Sequence, residues 1–230
     1  RYPGHLEAAQ TMAFVALCTS ELIRAFTARS EVRVLDKDRK ESLSLSMKVA
    51  MLDGKMRSEV DMTQLKSAEL PPDAIANLKQ MGMDRVVSIL RPDKKAMFLI
   101  YPGLQAFVNM PLPKEEAEAL DQEPKMEKTA MGKETIDGHP CIKNKVIVTN
   151  DKGEKHEATI WNATDLKDFP VQIEMQEKDT TIVMSYKQVQ FVKPEVKQFD
   201  LPADYKQYAD NLQLMQKAME KLQADPGDNK

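Results

Sequence analysis

Glycine is scarce in this chain, with 8 in 230 residues. No Gly-x-Gly-x-x-Gly turn, Walker loop or Gly-x-Ser-x-Gly elbow can be drawn, so nucleotide binding and serine-hydrolase chemistry lack the backbone they need. Aromatics are 6% of residues, with Trp161 the single tryptophan, which argues against a stacking platform for bases. Neither sign of charge dominates: 33 basic and 36 acidic residues give a net charge of -3. A basic nucleic-acid footprint and a polybasic membrane anchor are both missing, and no nucleic-acid partner is expected. No stretch reaches the roughly 18 apolar residues of a membrane span. The longest apolar run, residues 12–18, reads as part of a largely buried N-terminal helix over 5–26. The remnant of a secretory signal is the competing reading, and Leu17 is too large for the position before a lipoprotein cysteine.

Cysteine is almost absent. Cys18 and Cys141 match neither a metal spacing nor a Cys-x-x-Cys motif, and whether they are bridged or are two buried thiols stays open. The three histidines are His5, His139 and His156. A site built from His139, Cys141 and His156 has no recognisable fourth ligand, and a Cys141 nucleophile has no orienting motif. The expectation is a non-enzyme with no metal and no cofactor. Asn162-Ala163-Thr164 fits a glycosylation acceptor, a common chance match.

What the chain has is methionine, 15 residues of it, mostly on segments that read as strands. Over 42–51, Leu43, Leu45, Met47, Val49 and Met51 alternate with Ser44, Ser46, Lys48 and Ala50, so one set shares one face of a sheet. Met is unbranched and adaptable, suited to an apolar surface of irregular shape. Asp53-Gly54 signals a hairpin, and 55–62 returns with Met56, Ser58, Val60 and Met62 in one phase. A short helix follows Pro71-Pro72 and ends at Gly82. Two strands flank Pro92-Asp93, the second of them apolar enough over 97–100 to be buried on both faces. Residues 111–124 form an acidic excursion with a solvated helix. Further strands at short intervals up to 192 make a meander. Tyr205, Tyr208, Leu212, Met215, Met219 and Leu222 make an apolar seam on a C-terminal helix over 204–224, docked on the sheet, seaming a dimer or covering a cavity; 225–230 is a tail.

Several motifs carry a family resemblance. Gly132-Lys133-Glu134-Thr135-Ile136-Asp137-Gly138-His139-Pro140-Cys141-Ile142-Lys143 is similar to a hairpin of an uncharacterised bacterial family related to the LolA/LolB lipoprotein carriers. Thr159-Ile160-Trp161, Asp165-Leu166-Lys167-Asp168-Phe169-Pro170-Val171 and Phe199-Asp200-Leu201-Pro202-Ala203-Asp204-Tyr205 resemble later signatures of that family. Asp53-Gly54-Lys55-Met56-Arg57-Ser58-Glu59 resembles its arginine-bearing strand pair. The resemblance covers about 25–208. It implies a mainly β (α+β) fold, an incomplete and strongly curved antiparallel barrel with helices on its concave side, in a single domain over 1–208. It also implies a periplasmic or otherwise extracytoplasmic location, and acyl chains bound in an apolar cavity as in the carriers.

The leading expectation is a non-enzymatic protein that binds a lipid, a lipoprotein acyl chain or another apolar small molecule. Leu45, Met47, Val49, Met62, Met97 and Leu99 are the candidate lining, and a membrane-associated protein is a possible donor or acceptor. Arg57, mid-strand and out of phase with the apolar face, is either solvated or bonds backbone carbonyls to hold a cover shut. The alternative is a structural or interaction protein with a filled core, whose C-terminal helix docks a partner or a second copy.

Overall fold

The structure, a computed structural model, describes residues 24–67, 70–71, 73–112, 125–149, 153 and 155–224. One antiparallel meander runs outward through β1 (Ala25–Leu35), β2 (Glu41–Leu52), β3 (Lys55–Asp61), β5 (Arg85–Arg91), β6 (Ala96–Tyr101) and β7 (Ala106–Pro111). A second runs back through β8 (Lys125–Ile136), β9 (His139–Thr149), β10 (Lys155–Ala163), β11 (Phe169–Glu177) and β12 (Thr180–Gln190). They join where β12 pairs with β1, so β7 and β8 lie toward opposite edges of one open sheet. The short β4 (Lys66–Ser67) adds to β2, and β13 (Lys206–Tyr208) adds in parallel to β7. Two helices, α1 (Ala74–Gln80) and α2 (Asn211–Ala224), complete the described structure.

The turns follow local chemistry. Asp53 and Gly54 both take positive φ, 46° and 77°, as a two-residue primed hairpin requires. The α1 helix ends at Met81, and Gly82 at φ 73° lies against Gly103: a Cβ on Gly82 would sit 2.7 Å from the Gly103 carbonyl oxygen. This contact locks the α1 exit onto the β6–β7 turn.

The sheet curls toward one face. Phe26 on β1 and Phe169 on β11 are two strands apart, which on a flat sheet is about 9.6 Å. Their ring centroids are 5.0 Å apart. Phe169 also meets Tyr186 and Phe191 edge to face, at 5.5 and 6.0 Å. Around these rings the concave side of β1, β2 and β9–β12 is filled by its own side chains, Val32, Met51, Val146, Ile160, Ile173 and Met184 among them. This is the open, curved half-barrel that the motifs implied. The β6 strand is buried on its convex side, but its continuous apolar run is not sealed on the concave side, where Met97 and Leu99 are half-buried. Phe98 and Ile100 pack with Phe199 on the convex face, and Leu99 and Tyr101 pack toward α2 on the concave one.

The motif residues pin register. Lys143 on β9 lies opposite Trp161 on β10. The Trp161 indole donates to Glu134 Oε2 on β8 at 2.7 Å, and Lys143 Nζ donates to Glu134 Oε1 at 3.0 Å while lying 5.1 Å from the Trp161 ring centre. Three strands are thereby clamped by one carboxylate, one ammonium and one indole.

Three expectations are corrected or lie out of view. Residues 5–23 of the expected N-terminal helix lie outside the described residues, and Ala25 and Phe26 open β1 instead. Pairing with Leu52 and Met51, and the Phe169 ring, outweigh the local helical pattern. Residues 113–124 of the acidic excursion are likewise outside. The C-terminal helix begins at Asn211, not 204, with the Asp210 carboxylate accepting from Gln213 N at 2.8 Å as a cap. It does not dock by the expected seam. Leu214 and Ala218 are buried against Tyr101, Ala106 and Val108, whereas Leu212, Met215 and Met219 are 67%, 48% and 52% exposed. The small Ala218 permits close approach to the sheet, and that rotates the larger apolar residues outward.

Candidate functional site

The concave face of β2, β3, β5 and β6 lies between two packed groups. Strand pairing sets its rows: Met51, Met56, Leu90 and Met97 in one, and Val49, Ser58, Ser88 and Leu99 in the next. Met47, Val60 and Val86 form a third. The two serines bond to each other, Oγ to Oγ at 2.7 Å, and give the centre of the field a floor of short side chains. Met47 and Met56 lean on the Phe26–Phe169 core, and Leu99 and Val86 on the group beneath α2. Met56, Val60, Leu90, Met97 and Leu99 are half-buried, neither sealed in a core nor fully solvated.

The structure therefore brings Leu45, Met47 and Val49 of β2 and Met97 and Leu99 of β6 onto one face of the sheet, with β3 and β5 between them. Val49 is buried at 6% and Leu45 is half-buried farther along β2. Met62 departs from the expected strand phase. β3 ends at Asp61, and Met62 starts a single 3-10 turn, its N–H donating to the Asp84 carbonyl at 2.7 Å. The Asp61 carboxylate accepts from the Thr63 hydroxyl and N–H, and these bonds, the hydroxyl first, lower its pKa. This local capping ends the strand one residue early.

Arg57 projects from the opposite, convex face. Its Nη1 donates to the Gln198 carbonyl at 3.2 Å and its Nη2 lies 3.4 Å from Glu59. Gln198 belongs to the turn Val196–Phe199 that seats Phe199, 1% exposed, on the convex side of β5–β7. Sequence reasoning missed the stronger tie. Arg91 is buried, donates to the Phe199 carbonyl at 3.0 Å, and is held by a bidentate pair with Asp93 at 2.8 and 2.7 Å. The Arg91 fork holds the Asp93 pKa down to about 2. The available signal was an arginine ending a β-strand two residues before an aspartate, with a second basic strand residue, Arg57, one hairpin earlier.

Two open concavities, of about 290 and 320 Å³, lie on the convex side of β1–β3, and charged and amide side chains dominate their walls. Of the candidate lining residues, Met47 and Val49 border them.

The sparse metal and nucleophile candidates do not assemble. His139 Nδ1 pairs with Asp165 at 2.8 Å, and His156 faces Val148 across a different stretch of β9. Among the described residues no three His, Cys, Asp or Glu side chains group to hold a metal ion. Burial pushes the Cys141 thiol pKa up, the reverse of nucleophile activation. Cys18 lies outside the described residues. Asn162 is engaged on both sides of its amide, to Asp168 O at 2.8 Å and from Asn144 at 2.9 Å, within β10. No helix among the described residues is long and apolar enough to cross a membrane.

Residues 42–179 match the family described as a domain of unknown function (DUF4412). The chain belongs to this family. The matched stretch runs from β2 through β11, and so includes the methionine field and the Glu134–Lys143–Trp161 clamp. Among solved structures the chain is similar to lipoprotein LppX of Mycobacterium tuberculosis, at 12% identity and a TM-score of 0.43 over 84% of this chain and 98% of that one. It is similar to LprF from Mycobacterium bovis at 13% identity and a TM-score of 0.41, over 86% and 97%. It is also similar to a LolA superfamily protein from Nitrosomonas europaea at 10% identity and a TM-score of 0.39, over 82% and 97%. No curated protein matches the sequence.

Proposed function

We propose that this DUF4412 protein is a non-enzymatic, extracytoplasmic binder of an apolar ligand, a lipid or acyl chain, held on the concave face of β2, β3, β5 and β6. One observation carries the reading: adaptable side chains, Met47, Met56, Leu90, Met97 and Leu99, stand half-buried around the short Ser58–Ser88 floor between two packed groups. Apolar groups left half in water gain roughly 25 cal/mol for each Å² that a ligand removes from it. Methionine adapts to varied shapes at low cost. A membrane-associated donor or acceptor protein would complete the role of a carrier.

The test is native mass spectrometry and lipid extraction of protein purified without detergent, followed by titration with a fluorescent fatty acid. Bound lipid, or saturable uptake, is expected. Ser88→Trp fills the floor and is expected to weaken uptake at least tenfold with an unchanged circular dichroism spectrum. No lipid and no uptake, or full uptake by a folded Ser88→Trp variant, refutes the reading.

A second reading, an interaction protein, is favoured by the exposed Leu212, Met215 and Met219 on α2. Light scattering of wild type and a Met215→Lys/Met219→Lys variant separates the two. A larger species that the variant abolishes supports association through α2, and a monomer in both counts against self-association.

A further inference from the structure

We infer that the convex trough over β1, β2, β3 and β12 is an oxyanion-binding site, for a phosphate group carried either by a free phosphate or by a lipid headgroup. The trough is the pair of adjoining concavities of about 290 and 320 Å³, which share Arg29, Lys48, Glu59 and Gln188 in their walls.

Register places Lys187 of β12 opposite Arg29 of β1, and Arg29 opposite Lys48 of β2. Three cations thus stand side by side across three strands. Directly opposed residues of an antiparallel pair have Cβ atoms about 5 Å apart, and like charges there are destabilising. Nearby acids offset this row only in part. Glu31 takes Lys187 at 3.5 Å and the Ser44 hydroxyl at 3.4 Å. Glu59, opposite Lys48 across β2 and β3, has its carboxylate 3.4 Å from Arg57, and Asp61 accepts from Thr63 and Gln64. Among the described residues, no ion pair or hydrogen bond holds the side chains of Arg29 and Lys48.

The walls add donors. Between Thr27 and Arg29 the β1–β12 register slips, setting Ala28 against both Gln188 and Val189, a β-bulge. Gln188 takes φ 52° within it. Bulges re-aim side chains next to binding sites, and this one sets Gln188 into the wall of both concavities. Gln190 and Gln198 line the first concavity, and the Gln188, Gln190 and Gln198 side-chain amides have no partner among the described residues. The trough therefore offers a guanidinium, an ammonium and amide N–H groups, and the carboxylates in its walls, Glu31, Glu59 and Asp61, are each engaged, by Lys187, Arg57 and Thr63. A tetrahedral oxyanion satisfies that set, with the Arg29 fork suited to two of its oxygens.

The test uses the full chain at low salt. Inorganic pyrophosphate is titrated by calorimetry, and vesicles of phosphatidylglycerol in phosphatidylcholine are tested by co-sedimentation. Wild type, Arg29→Gln/Lys48→Gln and the remote control Lys178→Gln are compared. The double variant is expected to weaken binding at least tenfold, with the control within twofold of wild type. It is also expected to lose the rise in Tm that pyrophosphate gives wild type. Binding of pyrophosphate assigns the free-phosphate source; binding of anionic vesicles alone assigns the headgroup. Binding of neither by wild type, or equal weakening by Lys178→Gln, overturns the proposal.

Discussion

Replacing Arg91 by Met tests what holds the convex cover in place. The side chain of Arg91 is 11% exposed; it donates to the Phe199 carbonyl at 3.0 Å, pairs with Asp93 and lies 3.6 Å from Asp200. A hydrogen bond from a charged donor contributes about 1.5–3 kcal/mol. Asp93 is 48% exposed and rehydrates when its partner leaves, so its pair adds at most about 1 kcal/mol. Met keeps most of the aliphatic volume. The expected loss is about 3 kcal/mol for the turn Val196–Phe199. Arg57→Ala removes one bond of 3.2 Å to the carbonyl of an exposed residue and a surface pair, and about 1 kcal/mol is expected. Burial of Phe199 keeps contributing about 2–3 kcal/mol in either variant, so the cover loosens locally before the sheet unfolds. Hydrogen exchange read by mass spectrometry on peptides spanning 191–205 is the assay. At about 1.4 kcal/mol per decade, Arg91→Met should speed exchange there about 100-fold and Arg57→Ala about fivefold. Exchange unchanged in Arg91→Met, or faster in Arg57→Ala than in Arg91→Met, would refute the assignment of Arg91 as the principal tie.

Three further outcomes are expected. Phe169→Ala removes a ring that is 0% exposed and meets Phe26, Tyr186 and Phe191, and should cost about 3–5 kcal/mol in urea unfolding; less than about 2 would show that the curl of the sheet does not depend on it. Gly103→Ala would put a Cβ 2.5 Å from the Gly82 carbonyl oxygen, backbone that cannot step aside, and a loss of about 1–3 kcal/mol by thermal melting is expected; an unchanged Tm contradicts the close approach. The Trp161 and Lys143 bonds, the indole first, lower the Glu134 pKa below the ordinary value of about 4.3. Its contribution is present above that value and is lost as pH falls through the lowered one. Fluorescence of the single tryptophan should therefore change with a midpoint below pH 4.3, and Glu134→Gln should remove the transition. A midpoint above that value would break the link.

Much of the half-barrel was legible because period-two alternation is a local property. Leu43 to Met51 had to share a face, Asp53-Gly54 had to turn, and Gly82 had to end a helix. The Glu134, Lys143 and Trp161 motif was visible without its reason, which is a clamp across β8, β9 and β10. Three readings went astray where contact outweighed pattern. Ala25 and Phe26 continued a helical pattern but joined β1. Met62 kept strand phase but was captured by the Asp61 cap. The α2 seam of larger apolar residues lost the sheet to Leu214 and Ala218.

By itself the sequence determined that one face of a curved antiparallel sheet is apolar and rich in methionine, because side-chain alternation needs no knowledge of neighbours. Only the tertiary structure decided how that face is used. Curvature closes Phe26 onto Phe169 and fills one half, while strand order sets Ser58 beside Ser88 and leaves the other half shallow and half-buried. Strand order also lines up Lys187, Arg29 and Lys48 on the far side, a juxtaposition of residues far apart in the chain that no local pattern encodes.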